Sequence, residues 1–197
     1  MTINGPVFDY PNFLNWATHE SISNYGYQPS LSKYIPLNLK RMQRLDKTAS
    51  LSEGLRRQLS HPNLKEQLWY VITEAWCGDS AQNLPLIAQM ADASAGKIHL
   101  QIFLRDENPD IMNQHLTDGS RSIPKLVSFD SESGVILFKW GPRPAPAQAL
   151  LHQWKQNPNG RSWDDFELEL HTWYARDKLA TLQDEFYGIL QSIILGE

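Results

Sequence analysis

Cysteine is almost absent from this 197-residue sequence: Cys77 is the only one. A single thiol excludes an intramolecular disulfide and any metal site built from several cysteines of one chain. It also suits a reducing compartment. Long apolar runs are missing too, and none approaches the roughly 18 residues of a membrane-spanning helix. The segment Met1–Asp9 lacks the basic stretch leading into an apolar one that marks a secretory signal. A cytoplasmic protein without a membrane partner is the expectation. Neither sign of charge dominates. With 18 Lys and Arg against 22 Asp and Glu, the formal net charge of -4 disfavours general polyanion binding, so no nucleic-acid partner is expected. The six histidines, at 19, 61, 99, 115, 152 and 171, never fall at helical pair spacing, so no metal site is expected.

What is present reads as a folded core. Hydrophobic residues make up 41% and charged residues 20%, a globular balance in a chain long enough for one or two domains. Residues 1–30 are rich in aromatic residues, Asn, Ser and Pro, and read as loops with one short helix around Phe13–His19. Ile35, Leu39, Met42, Leu45 and Ala49 recur at spacings of three and four, which predicts an amphipathic helix with Lys40, Arg41, Arg44 and Lys47 on its other face. A second helix over Ser52–Ser60 ends at His61-Pro62-Asn63.

The pattern then changes. Gln67–Thr73 is short, bulky and β-branched, as a buried strand should be. Asp79–Ala93 reads as a helix kinked at Pro85, and Lys97–Leu104 as a strand. Pro109 opens a short helix. Lys125–Phe129 and Val135–Lys139 form a hairpin around residues 130–134, and Pro144–Gln156 supplies another helix. This order predicts an α/β layer with a central mixed sheet of about four strands, flanked by helices. Trp163–Leu195 reads as a long C-terminal helical segment. Its two apolar stripes (Phe166, Leu170 and Trp173; Leu179, Leu182, Phe186, Ile189, Leu190 and Ile193) are offset, which predicts a bend or two packing partners. The expected division is an N-terminal helical extension over 1–64, an α/β domain over 65–157 and a C-terminal helical extension over 158–197.

Cys77 falls at a predicted strand-to-helix turn, in Trp76-Cys77-Gly78-Asp79-Ser80. Unpaired N–H groups and the positive end of the helix dipole favour thiolate there, and thiolate is the reactive species. Ser80, one turn further in, is placed to donate a hydrogen bond to the sulfur. Asp79 opposes this, because a neighbouring carboxylate raises the thiol pKa. The bland alternative is a buried, inert cysteine.

The ordered set of an apolar strand, Trp76-Cys77-Gly78, Pro85, Asp106–Ile111, Ser122-Ile123-Pro124-Lys125 and Trp140-Gly141 resembles the thioredoxin family over residues 65–156. With its helical flanks, the whole chain is similar to a thioredoxin-like family of bacterial proteins. The resemblance implies that Cys77 is the nucleophile, that Trp76 shields it, and that Gly78 and Asp79 shape the turn. It further implies that Ile123, before a cis Pro124, offers main-chain groups to an extended peptide. Two positions depart from the family: Ser80 replaces the resolving cysteine, and Val71 stands where a buried Asp assists that thiol. Both departures argue against a standard disulfide reductase.

Two functions follow. One is monothiol chemistry, thiol–disulfide exchange or deglutathionylation, with Cys77 and Ser80 acting on a protein or small-molecule disulfide and no cofactor. The other is a non-catalytic module that holds an extended peptide at the Pro124 loop. Gly78-Asp79-Ser80 also resembles an esterase block, but no His has Asp three residues before it, and Gln82 occupies the second glycine position of a nucleophile elbow. The basic run Lys40–Arg57 reads as a solvated face or a partner for Asp164, Asp165, Glu167 and Glu169. His171–Lys178 reads as a packing face or as the wall of a groove beside Cys77.

Overall fold

The bulky run Gln67–Thr73 forms the central strand of a five-stranded sheet in this computed structural model, which describes residues 2–19 and 28–196. In chain order the elements are β1 (Val7–Phe8), α1 (Tyr10–His19), α2 (Pro29–Ser32), α3 (Ile35–Thr48), α4 (Glu53–Leu59), β2 (Gln67–Thr73) and α5 (Gly78–Ala93). There follow β3 (Ile98–Leu104), α6 (Pro109–Asn113), β4 (Lys125–Asp130), β5 (Ile136–Trp140), α7 (Ala145–Gln156), α8 (Trp163–Asp177) and α9 (Ala180–Leu195). The loop reading of residues 1–30 falls partly on residues 20–27, outside the described residues.

The strand order is β1-β3-β2-β4-β5. β2 runs parallel to β3, with Val71 opposite Ile102, and antiparallel to β4, with Val71 opposite Leu126. β5 extends the sheet antiparallel to β4. The fifth strand, β1, lies within the stretch read as loop and pairs antiparallel with Ile102 and Phe103. Two residues are too few to show the alternation that marks a strand.

Alternation along β2 divides the core. Trp69 and Val71 join the larger apolar cluster, which draws Leu39 and Met42 from α3, Leu84 and Ile87 from α5, and Phe186 from α9. Ile72 joins a smaller cluster with Cys77, Phe103, Ile111, Met112 and Ile123. The helical flanks therefore complete the core; α3 packs on α5, and α4 packs on α9. A third cluster joins α7 to α8 through Ala147, Leu151, Phe166 and Leu170.

The long C-terminal segment is two helices. Lys178 and Leu179 both adopt left-handed conformations, with φ of 52° and 68°, and break it between the two apolar stripes. Each stripe then has its own partner: Phe166 and Leu170 meet α7, whereas Leu182, Phe186 and Leu190 meet the main core. Among the described residues, no helix is long and apolar enough to cross a membrane.

Candidate functional site

Cys77 caps the N-terminus of α5, so its position follows directly from the strand-to-helix turn. Its sulfur accepts a hydrogen bond from the Ser80 N–H at 3.4 Å and donates to the Ile123 carbonyl at 3.2 Å. That carbonyl belongs to the loop before Pro124, and the Ile123–Pro124 peptide bond is cis. Gly141 holds the same loop from behind. Its φ is +104°, and a Cβ there would lie 2.2 Å from the Pro124 carbonyl oxygen, so only glycine fits.

Burial decides the state of the thiol. Cys77 is 6% exposed, and enclosure together with the nearby Asp79 carboxylate pushes its pKa up to about 11. Hydrogen bonds from Ser80 and the charge of Arg143 oppose the rise without cancelling it. The thiolate-favouring helix tip expected from sequence is thus outweighed by desolvation, which penalises the charged form. The Ser80 hydroxyl accepts a bond from the Thr73 hydroxyl at 2.6 Å, which fixes it in the floor of the site.

Asp79 does not shape the turn alone. Its carboxylate receives the Arg143 guanidinium in a two-point ion pair, with Nε at 3.1 Å, and the Tyr174 hydroxyl at 2.7 Å. Asn83 donates to the same tyrosine oxygen at 3.1 Å. Both charged side chains are about one-tenth exposed. Burial and the Asp79 charge raise the Tyr174 pKa well above its usual value, so the hydroxyl stays protonated and donates.

A cleft of about 860 Å³ opens above this floor, between α2, α3, the start of α5, the 120–123 loop and α8. Trp76, Cys77, Gly78, Asp79 and Ile123 line it, whereas Ser80 and Pro124 lie buried behind. Trp76 forms one wall with the Arg105 guanidinium 4.8 Å over its ring. Arg41, Arg143 and His171 also line the cleft; His171 lies in the segment whose groove-wall reading named it, whereas the distance of Arg41 and Arg143 from Cys77 in sequence hid them. Of the helix Trp163–Asp177, His171 therefore faces the cleft and Tyr174 the Asp79 pair. The basic run of α3 and α4 makes no ion pair with Asp164, Asp165, Glu167 or Glu169 among the described residues; Arg57 pairs with Glu53. Among the described residues, no group of three or more His, Cys, Asp or Glu is placed to hold a metal ion.

His171 carries a pH prediction. Its pKa falls from 6.5 to about 4, through burial first and then the nearby Arg41 charge. The unfolded chain therefore binds a proton that the folded chain refuses between those values. Stability from the neutral ring is complete above pH 6.5 and is lost as pH falls toward 4. Discounted for partial exposure, the loss is on the order of 2 kcal/mol. Urea unfolding at several acidic pH values should show this slope in the wild type and a shallower one in His171→Gln.

A family model described as thioredoxin matches residues 27–155. The fold is similar to that of a protein of unknown function from Pseudomonas aeruginosa, with 20% identity, a TM-score of 0.58, and coverage of 93% of this chain and 92% of that one. A crystallised HIV epitope-scaffold is also similar, with 20% identity, a TM-score of 0.54, and coverage of 96% and 93%. No curated protein matches the sequence.

Proposed function

Since the chain belongs to the thioredoxin family, we propose that it is a binding module of that fold. In this reading an extended peptide lies along the Ser122–Pro124 loop, in the cleft above a neutral Cys77 thiol. The observation that carries it is the thiol itself, enclosed and donating its proton to Ile123. With a pKa of about 11, only roughly 3 thiols in 10,000 are ionised at about pH 7.5. Exchange needs the thiolate, so the site is poorly poised for turnover. Among the described residues, none accepts a hydrogen bond from the Ile123 N–H, which leaves that group for a peptide carbonyl. Trp76 supplies an apolar wall, Gly78 keeps the floor low, and Ser80 with Asp79 fixes the turn.

Cys77 does line the cleft, and this favours monothiol exchange as a second reading. There the Cys77 thiolate attacks a partner–glutathione disulfide. A new S–S bond forms to Cys77, the other sulfur leaves as thiolate, and free glutathione reduces the adduct. Incubating a glutathionylated peptide with glutathione and the protein separates the two. The binding reading expects release no faster than with Cys77→Ser, and peptide binding retained by that variant. Catalytic release lost in Cys77→Ser would establish the exchange reading instead.

A further inference from the structure

Arg41 is a half-buried cation without an ion-pair partner among the described residues. Its guanidinium donates to the Asn38 side-chain oxygen at 2.9 Å, and the buried Asn38 donates in turn to the Ala75 carbonyl at 3.3 Å. A neutral amide thus holds the fork in place without cancelling its charge. Asp79, in the cleft floor, is already engaged by Arg143 and Tyr174. Burial lowers the Arg41 pKa, opposed first by the charge of Glu167 and then by that of Asp79, neither of which forms an ion pair with it. Burial of a cation that lacks a direct ion pair is costly, and an arriving anion offsets that cost.

A second donor points to the same spot. Gln82 Nε2 lies 3.2 Å from His171 Nδ1. An amide nitrogen donates, so Nδ1 accepts and the ring hydrogen sits on Nε2. That atom would be 3.0 Å from a Cβ at Gly78, and Arg41 Nη1 would be 3.6 Å from the same point. With no side chain at residue 78, the His171 ring packs close on the glycine, and donors from α3 and α8 both lie beside it at the cleft floor.

We infer that the cleft takes its ligand by a carboxylate, held between the Arg41 guanidinium and the His171 Nε2–H above Gly78. This inference rests on the binding reading above. A single negative charge fits the lining better than a phosphate dianion. Arg143 is committed to Asp79, Arg105 pairs with Asp106, and Asp164 and Glu167 border the same cleft. Leu37, Trp76, Ile123 and Leu168 offer apolar contact to the remainder of the ligand. The carboxylate belongs to a peptide terminus, an acidic side chain or a small free acid.

Amide and ring NMR signals of the full-length protein test this with four probes. They are N-acetyl-Ala-Leu-Ala with a free carboxylate, the same peptide as its amide, N-acetyl-Ala-Glu-Ala amide, and acetate. The carboxylate peptides should shift the Gly78 amide and the His171 ring and bind about tenfold tighter than the neutral amide. Arg41→Gln and His171→Phe should each abolish that preference, with spectra elsewhere unchanged, and Arg41→Lys should restore part of it. Acetate binding as tightly as the peptides assigns the site to a small acid; weaker acetate binding assigns it to a peptide. Equal binding of acid and amide overturns the carboxylate assignment and leaves the peptide-binding reading standing. A preference that survives both variants overturns it as well. If no probe shifts Gly78 and the protein releases glutathione catalytically, both readings fall.

Discussion

Arg143→Met should destabilise the protein by about 3–5 kcal/mol, because it strands the Asp79 carboxylate in a nearly dry site. The two side chains are 9% and 10% exposed, and their contact joins the start of α5 to the loop after β5. Tyr174 alone would remain on the carboxylate. Asp79→Asn should cost less, since an amide is cheaper to bury than an unpaired charge. The double variant Asp79→Asn, Arg143→Met should lose less than the sum of the two single changes, because each single change strands the other's partner. Urea unfolding of the four proteins gives the coupling. A loss below about 1 kcal/mol for Arg143→Met would place the pair among exposed, weakly contributing ones.

Phe186→Ala should have an effect of similar size, about 3–5 kcal/mol by cavity formation in a closed core. Phe186 is fully buried on α9, with ring centroids 5.5 Å from Trp69, 6.0 Å from Phe138 and 5.5 Å from Trp140. It is therefore the point at which the C-terminal flank closes over β2 and β5. Beside it, Glu185 accepts from the Trp140 indole and the Ala145 N–H, each at 2.7 Å. Phe186→Leu should recover much of the loss, since it restores volume. If Phe186→Ala unfolds at nearly the wild-type urea concentration, α9 contributes little to the core.

These two sites show what a single sequence carries. The fold was legible because β2, α5 and the β4–β5 hairpin each have a local signature: a bulky, β-branched run, a helical stretch kinked at Pro85, and a polar turn over residues 130–134 between two strand-like runs. The position of Cys77 at the start of α5 followed from the strand-to-helix turn. Arg143 and Arg41 left no such trace, and the segment His171–Lys178 was legible only as a packing face or a groove wall. Their partners lie far along the chain, as with Tyr174 and Asp79, which are 95 residues apart. β1 escaped because it has only two residues. The thiol's state stayed open between a reactive thiolate and a buried, inert cysteine for a different reason. Sequence reveals the helix tip that favours thiolate, whereas the enclosure that opposes it is made by the loop at Ile123 and by the packing of Cys77 with Ile72, Phe103 and Met112. Local geometry set one sign, and tertiary burial set the larger one.

The binding reading requires Cys77 to be a neutral thiol in the floor of the cleft. Titrating it directly is the most direct test, by following the β-carbon resonance of cysteine-labelled protein from about pH 6 to about pH 12. A midpoint near 11 is expected, with the Gly78 and Ile123 amides moving in step as the Ile123 carbonyl loses its donor. A midpoint at or below about 8.5, the value of a free cysteine, would contradict the account and return Cys77 to the role of nucleophile.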